Sequence, residues 1–262
     1  MRTVLICHQG SKLDEVILAR WLASFSELAG IVVIEEEGQR IWKRVKREIS
    51  RVGALRFLDV LAFRVFYKLA LAKRDESWRE KTYHELSRRF PELPATVRRL
   101  HTPSPNSREA RAFIKELKPD IMLARCKTLL KESVFTIPTS GTYVLHPGIC
   151  PEYRNSHGCF WALARGDAKN VGMTLLRIDR GVDTGPIYGY FTYPFDERRE
   201  SHIVIQYRVV YDNLQAIAAR LREIVAGTAD PIDISGRPSA AWGQPQLLQY
   251  ARWKLRARKN GR

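Results

Sequence analysis

Acidic residues are scarce in this chain. Only 28 Asp and Glu stand against 44 Lys and Arg in 262 residues, a formal net charge of +16. The imbalance points to anionic partners (nucleotide phosphates, nucleic acid or an acidic membrane surface) or to a plain solvated basic surface. Cysteine is scarce too. Cys7, Cys126, Cys150 and Cys159 show no C-x-x-C or zinc spacing, and three lie in or beside apolar strands. This argues against a zinc ribbon or a disulfide framework and predicts reduced thiols in a cytoplasmic protein. His8, His84, His101 and His202 form no ligand pattern with Asp or Glu, so no metal site is expected. A G-x-S-x-G elbow is absent, which leaves a Ser-His-Asp hydrolase without support. The N-terminus lacks a signal-peptide layout, because Arg2 to Cys7 is too short and polar His8-Gln9-Gly10-Ser11 follows. No internal repeat is present.

What is there reads as an α/β chain of one large domain with additions. Thr3 to Cys7 is a buried strand, Leu13 to Ser26 carries apolar residues at helical spacing, and Ile31 to Ile34 is a second strand. The turn between them, Gly10-Ser11, sits at a helix N-terminus. It can hold an anion, or serve as a tight turn with Ser11 as the cap. Thr96 to His101, Ile121 to Ala124, Val171 to Asp179 and Pro186 to Thr192 are further strands. Asn106 or Ser107 caps a helix to Leu117, Cys159 to Ala164 is helical, and Glu200 to Ala226 reads as one long helix.

A basic helical insertion is expected at about 38–94. Within it, Ala54 to Ala72 places Leu55, Leu58, Leu61, Ala62, Val65 and Leu69 on one face. Arg56, Asp59, Arg64 and Lys68 interrupt it too often for a membrane span. Two readings are open: a helix packed on the domain or at a homodimer contact, and a helix lying on an anionic membrane surface with Phe57, Phe63, Phe66 and Tyr67 as anchors beside the run Lys43-Arg44-Val45-Lys46-Arg47. The second would make the protein peripheral at the membrane. After Gly227 the chain reads as an irregular basic extension, 228–262, ending in Arg252, Lys254, Arg256, Arg258, Lys259 and Arg262.

The most informative stretch is Val144-Leu145-His146-Pro147-Gly148-Ile149-Cys150-Pro151-Glu152-Tyr153-Arg154, followed by Gly181-Val182-Asp183-Thr184-Gly185-Pro186-Ile187. It puts a histidine at the end of an apolar strand and brings a carboxylate back in a Gly-rich turn. A carboxylate beside an imidazole fixes its tautomer and favours its charged form, which suits proton transfer near neutral pH. These two blocks resemble the folate-dependent formyltransferase family, whose pattern is roughly N-x-H-P-[SG]-x-x-P-x-[YF]-[RK]-G with D-[TA]-G-x-I about forty residues on. His146, Pro147, Gly148, Pro151, Tyr153, Arg154, Asp183, Gly185 and Ile187 fall on it.

The resemblance implies a Rossmann-like formyltransferase fold over 1–227 and a biosynthetic one-carbon transferase with formyl-tetrahydrofolate as co-substrate. It implies His146 and Asp183 as catalytic residues and a pterin-holding loop at Lys127, Thr128, Leu129 and Leu130, with Gly185 nearby. It also implies a cis Cys150–Pro151 bond. The acceptor would be the amine of a phosphorylated or nucleotide-linked small molecule, an amino sugar first and glycinamide ribonucleotide second. Gly10, Ser11, Gly148 and His157 are the candidate acceptor contacts; His157 can equally cap the helix that starts there. No specific nucleic acid is implied, and the second, tRNA-binding domain of full methionyl-tRNA formyltransferases is not expected. The pattern is broken at its asparagine, which is Val144 here. Three readings follow: Asn155, where the family usually has glycine, supplies the missing amide; the site runs a related one-carbon reaction; or the chain is a weakened scaffold that binds an anionic membrane or nucleic-acid surface.

Overall fold

A computed structural model describes residues 1–35 and 53–259. The run Lys43-Arg44-Val45-Lys46-Arg47, the start of the expected insertion and Arg262 lie outside the described residues.

Strand β1 (Arg2–His8) is apolar through its middle, as a strand covered on both faces must be. Helix α1 opens with a π-helical stretch, Lys12–Ile17, and continues α-helical over Leu18–Ala23. Strand β2 (Glu27–Ile34) follows. Helix α2 (Ala54–Phe66) passes through a π-helical stretch, Tyr67–Leu71, into α3 (Ala72–Arg89). Then come β3 (Arg98–Thr102), α4 (Arg108–Leu117), β4 (Ile121–Arg125), the single turn α5 (Glu132–Phe135) and β5 (Gly141–His146). The short β6 (Arg154–Asn155) precedes α6 (Gly158–Ala164), β7 (Met173–Arg177) and β8 (Ile187–Phe191). The chain ends with α7 (His202–Tyr211), α8 (Leu214–Ala226), β9 (Ala241–Trp242) and α9 (Leu247–Lys259).

Seven strands make one sheet in the order β3-β2-β1-β4-β5-β7-β8, parallel from β3 to β5 and antiparallel at β7 and β8. Side chains alternate across it. Leu5 and Cys7 enter a large cluster with Val33, Leu123, Tyr143 and Leu145, while Val4 and Ile6 enter a smaller one with Val32, Met122 and Ala124. Helix α4 covers the smaller cluster through Ala110, Ile114 and Leu117. Its cap is Ser107, which accepts from Ala110 N at 3.0 Å. The strand order reverses between β1 and β4, so their C-terminal ends form the crevice where such sheets bind ligands.

Three expectations need correction. In α2 the leucine stripe does not face the domain: Phe57, Val60 and Phe63 are buried, and Leu58, Leu61, Val65 and Leu69 are exposed, Leu69 at 82%. The rings win because Phe63 meets Phe160, His202 and Tyr250 at centroid distances of 5.9, 5.1 and 5.4 Å. Phe57 and Phe63 are therefore core residues and not surface anchors. Glu200 to Ala226 is two helices, because Asn213 Nδ2 donates to the Val209 and Thr192 carbonyls and breaks the run. The C-terminal extension is not irregular throughout. Helix α9 buries Tyr250 and Trp253 in the main core and buries Ala257 as well, and Arg256 and Lys254 donate to backbone carbonyls of α6 and of the loop before α7. A sequence reading weighted by its charges misses that Tyr250, Trp253 and Ala257 share one helical face.

Candidate active site

His146 is the last residue of β5, on the same face as Val144. Its ring is almost fully buried, with Nε2 2.8 Å from Tyr153 O and Nδ1 3.4 Å from Asp183 Oδ2. Both neighbours are acceptors here, so each ring nitrogen has a place for an N–H. The nitrogen turned away from Asp183 is already engaged, which the sequence does not foretell. Asp183 sits in the left-handed region at φ 53°, and so do Asn155 at 74° and His157 at 56°. The fourth such non-glycine residue, Lys118, ends α4. Among the described residues, three of the four non-glycine positive-φ side chains thus gather at one place, the pattern expected where backbone strain serves a site.

Asp183 and Asn155 are tied directly: the Asn155 N–H donates to Asp183 Oδ2 at 2.8 Å. The Asn155 side chain has another partner, donating through Nδ2 to Trp242 O at 2.6 Å and joining β6 to β9. The amide expected to replace the family asparagine is therefore committed to β9; the backbone of Asn155 is what touches the His–Asp pair. Val144 itself packs against the buried cluster of Cys150, Leu176 and Ile187.

Two glycines permit the close approaches here. A Cβ on Gly148 would lie 2.5 Å from Tyr153 O, 2.7 Å from His146 Nε2 and 2.9 Å from Gly158 Cα. A Cβ on Gly185 would lie 1.9 Å from Arg177 O, so the Asp183 turn can fold onto β7 only with glycine there. The Cys150–Pro151 bond is cis.

The loop 127–130 lies at the strand-order reversal, where Lys127 N donates to His8 Nε2 at 3.0 Å. Asn106, considered as a cap, braces this loop instead: Nδ2 donates to Leu129 O at 2.9 Å and Oδ1 accepts from Lys131 N at 2.7 Å. The Leu129 side chain stays exposed and that of Leu130 is buried. The Gly10-Ser11 turn is less suited to an anion than its sequence suggests. Gly10 N donates to the Glu15 carboxylate at 3.1 Å, and the Ser11 hydroxyl is used as the cap of α1.

A buried ion pair beside the site is not visible in the sequence. Arg125 donates to Asp14 Oδ1 at 2.8 Å and to Leu145 O at 2.9 Å, and the Tyr211 hydroxyl donates to the same Asp14 oxygen at 2.9 Å. The only hint is an arginine closing an otherwise apolar strand. Burial acts to raise the Asp14 carboxyl, but Arg125 with the Ser11 and Tyr211 hydroxyls outweighs it and holds the group below its usual range.

His157 occupies the N-cap position of α6 but makes no side-chain cap bond. Its Nδ1 pairs with Gln206 Nε2 at 3.2 Å. Burial, with Lys127 and Arg64 adding to it, pushes this imidazole down to about 4 despite its Gln244 and Gln206 partners. His202, 5.8 Å away between ring centroids, is also pushed down, first by burial and then by His157 and Lys254. Its Nδ1 is buried without a hydrogen-bond partner, an arrangement that costs roughly 1–3 kcal/mol unless a ligand or water supplies one. Burial likewise pushes the Cys7, Cys150 and Cys159 thiols up, so none presents a thiolate. Among the described residues no group of three or more His, Cys, Asp or Glu converges as metal ligands, and no helix is long and apolar enough to cross a membrane.

Residues 79–218, more than half of the chain, match the model of the family described as formyl transferase. The chain belongs to the formyl transferase family. It is 41% identical over 85 residues to a methionyl-tRNA formyltransferase from Kosmotoga olearia, covering 32% of this chain and 27% of that protein. The matched segments span about a quarter of the length of the first such relatives. Among solved structures, a sugar N-formyltransferase from Shewanella sp. FDAARGOS_354 superposes with a TM-score of 0.54 at 14% identity, covering 98% of this chain and 88% of that one. A phosphoribosylglycinamide formyltransferase from Anaplasma phagocytophilum gives 0.52 at 13% identity, covering 94% and 99%. These two likenesses are of fold. The family match takes in His146 and Asp183 and begins inside the segment read as an insertion, within α3.

Proposed function

We propose that the chain transfers a formyl group from formyl-tetrahydrofolate to the amine of a small phosphorylated or nucleotide-linked acceptor, an amino sugar before glycinamide ribonucleotide. The observation that carries this reading is the buried His146–Asp183 pair, set in the family's two motif blocks. The residues fit the co-substrate at one point in particular: loop 127–130 is braced by His8 and Asn106 and turns an exposed leucine outward beside the strand ends. Lys127, Thr128, Leu129, Leu130 and Gly185 would hold it, and when bound it supplies the formyl carbon. The Asp183 carboxylate, with His146 beside it, receives the proton the attacking amine releases and returns it, directly or through water, to the nitrogen that the formyl carbon leaves. His146, whose Nε2–H is taken up by the Tyr153 carbonyl, offers its Nδ1–H, 3.4 Å from Asp183 Oδ2, as the donor for the oxygen on which negative charge builds. With Val144 apolar and Asn155 turned to Trp242, backbone N–H groups share that task. Gly148 and His157 are the acceptor contacts this reading keeps.

A screen of phosphorylated and nucleotide-linked amines with formyl-tetrahydrofolate, read by mass spectrometry for a formyl adduct, tests the reading. Transfer to none of them, by folded protein, removes it.

A second reading is favoured by two observations. Val144 packs in an apolar cluster where the family has an amide, and α2 exposes Leu58, Leu61, Val65 and Leu69 beside Arg56 and Lys68. It is a weakened scaffold that docks this helix on an anionic lipid surface.

A further inference from the structure

A cavity of about 170 Å³ lies between α2, α7 and the loop after β9, lined by Phe63, Arg64, Tyr67, His157, His202 and Gln244 among others. Its His157 wall is joined to His146 through two glycines. His157 adjoins Gly158, where a Cβ would lie 2.6 Å from Gly148 Cα, and Gly148 in turn abuts His146 Nε2. We infer that this cavity is the acceptor subsite, and that it takes the six-membered ring of a phosphorylated amino sugar. The inference rests on the formyl-transfer reading and names its substrate class.

Four features carry it. The size suits one ring, since a cavity of about 150 Å³ holds benzene. One wall is aromatic, from Phe63 and Tyr67, which suits the apolar face of a sugar ring. The other presents neutral hydrogen-bonding groups suited to hydroxyls: the Gln244 amide, the His157 imidazole and the buried, unpartnered Nδ1 of His202, which has nothing in the protein to bond. The charge is one-sided. Arg64 lines the cavity and no carboxylate does; Asp75 stands behind, accepting from Ser201 Oγ at 2.7 Å. Lys127 acts on His157 from the loop side. Arg64 is therefore the cation that would meet a phosphate, and the cationic surroundings disfavour an ammonium, keeping the acceptor amine in the neutral form that attacks. Phe63, Arg64 and Tyr67 lie outside the part of the chain matched by the family model, and His157 and His202 lie inside it, so the cavity joins the family core to the helices before it.

The test measures binding by calorimetry, without folate, and formyl transfer with it. The probes are hexosamine phosphates with the amine at position 2, 3 or 4, their UDP-linked forms, and the matching unphosphorylated amino sugars. The variants are Arg64→Gln, exposed and free to change, and His202→Phe, which keeps an aromatic ring among Phe63, Phe160 and Tyr250. At least one phosphorylated probe should bind wild type. Arg64→Gln should weaken that probe about tenfold or more and leave its unphosphorylated counterpart unchanged. His202→Phe should weaken both, with KM rising more than kcat falls. Binding with this pattern but no formyl product would sink the transfer reading and leave the subsite standing. Formyl product with Kd and KM unmoved in both variants would sink the subsite and leave transfer standing. Binding by none of the probes also overturns the subsite.

Discussion

Asp183 Oδ2 accepts the backbone N–H of Asn155 at 2.8 Å. The same oxygen faces His146 Nδ1, so the short segment after the H-P-G turn holds the carboxylate in place while the carboxylate positions the histidine. Asp183→Asn keeps an oxygen for the Asn155 N–H but removes the charge beside His146. Its kcat should fall a hundredfold or more with the far-UV circular dichroism spectrum unchanged, and His146→Ala should do the same. Retention of more than about a tenth of wild-type turnover in either would remove the assigned role.

Asn155 acts as a brace between β6 and β9. Its left-handed backbone favours Asn or Gly, and its side chain anchors β9 through Trp242 O. Asn155→Ala should lose about 1–2 kcal/mol, from the bond and from the φ penalty together. Asn155→Gly should recover part of that stability, because glycine removes the φ penalty but not the lost bond. Urea melts of the two variants separate these terms. A large loss of kcat in Asn155→Gly at unchanged stability would instead restore the amide to a direct role. Val144→Asn places an amide among Cys150, Leu176 and Ile187, so it should lower the melt midpoint unless the amide finds the site.

The His146–Asp183 pair is legible because the two residues lie in two short blocks that resemble the family's pattern at its spacing. The parallel strands were legible because residues such as Val4 to Ile6 and Met122 to Leu123 are apolar on both faces. The cavity was not. His157, His202, Gln244 and Phe63 come from four separate parts of the chain, and each alone reads as an ordinary polar or core residue. The facing of α2 was misread because leucines and phenylalanines recur at the same spacing, and only the aromatic partners Phe160 and Tyr250, far away in sequence, decide between the two stripes. The Gly10-Ser11 turn reads as open to an anion in the sequence, where nothing shows that Glu15, five residues on, folds back onto its amide.

Asp14 and Arg125 should be inseparable. Removing one partner strands the other charge away from water, so Asp14→Asn should destabilise the fold by about 3 kcal/mol or more, measured as the shift in a urea melt. The sign with pH follows from the lowered Asp14 carboxyl. Its contribution is complete above the unfolded value of about 3.9 and is lost as pH falls through the lower folded value. The variant should therefore lose less stability than wild type on acidification below pH 4. Parallel acid titrations of the two would contradict this.

The two buried imidazoles make a prediction of the same kind at higher pH. Both are held neutral in the fold, His157 down to about 4. The groups facing them are Lys127, Arg64 and Lys254, with Gln206, Gln244 and the rings of Phe63, Tyr67, Phe160 and Tyr250. An unfolded histidine takes a proton near 6.5, so stability is full above that pH and falls as the pH drops toward 4. His157 alone should account for about 3 kcal/mol across that window. Melts between pH 7 and pH 4.5 should show a shallower decline in His157→Asn, which tolerates the left-handed backbone, and in His202→Phe. Identical slopes in all three proteins would mean the pair is protonated in the fold.

The leucine stripe on α2 separates the two readings of this helix. Sedimentation with anionic vesicles at low salt should pellet the protein, neutral vesicles should not, and raising the salt should release it, because the Arg56 and Lys68 contribution is screened. Replacing Leu61, Val65 and Leu69 with Gln touches no buried side chain, so the fold should persist while the pelleting is lost. Equal and negligible pelleting under every condition would leave the exposed stripe without a lipid partner. The proposed acceptor cavity, which this helix lines through Phe63 and Arg64, is unaffected by that outcome, because Leu61, Val65 and Leu69 do not line it.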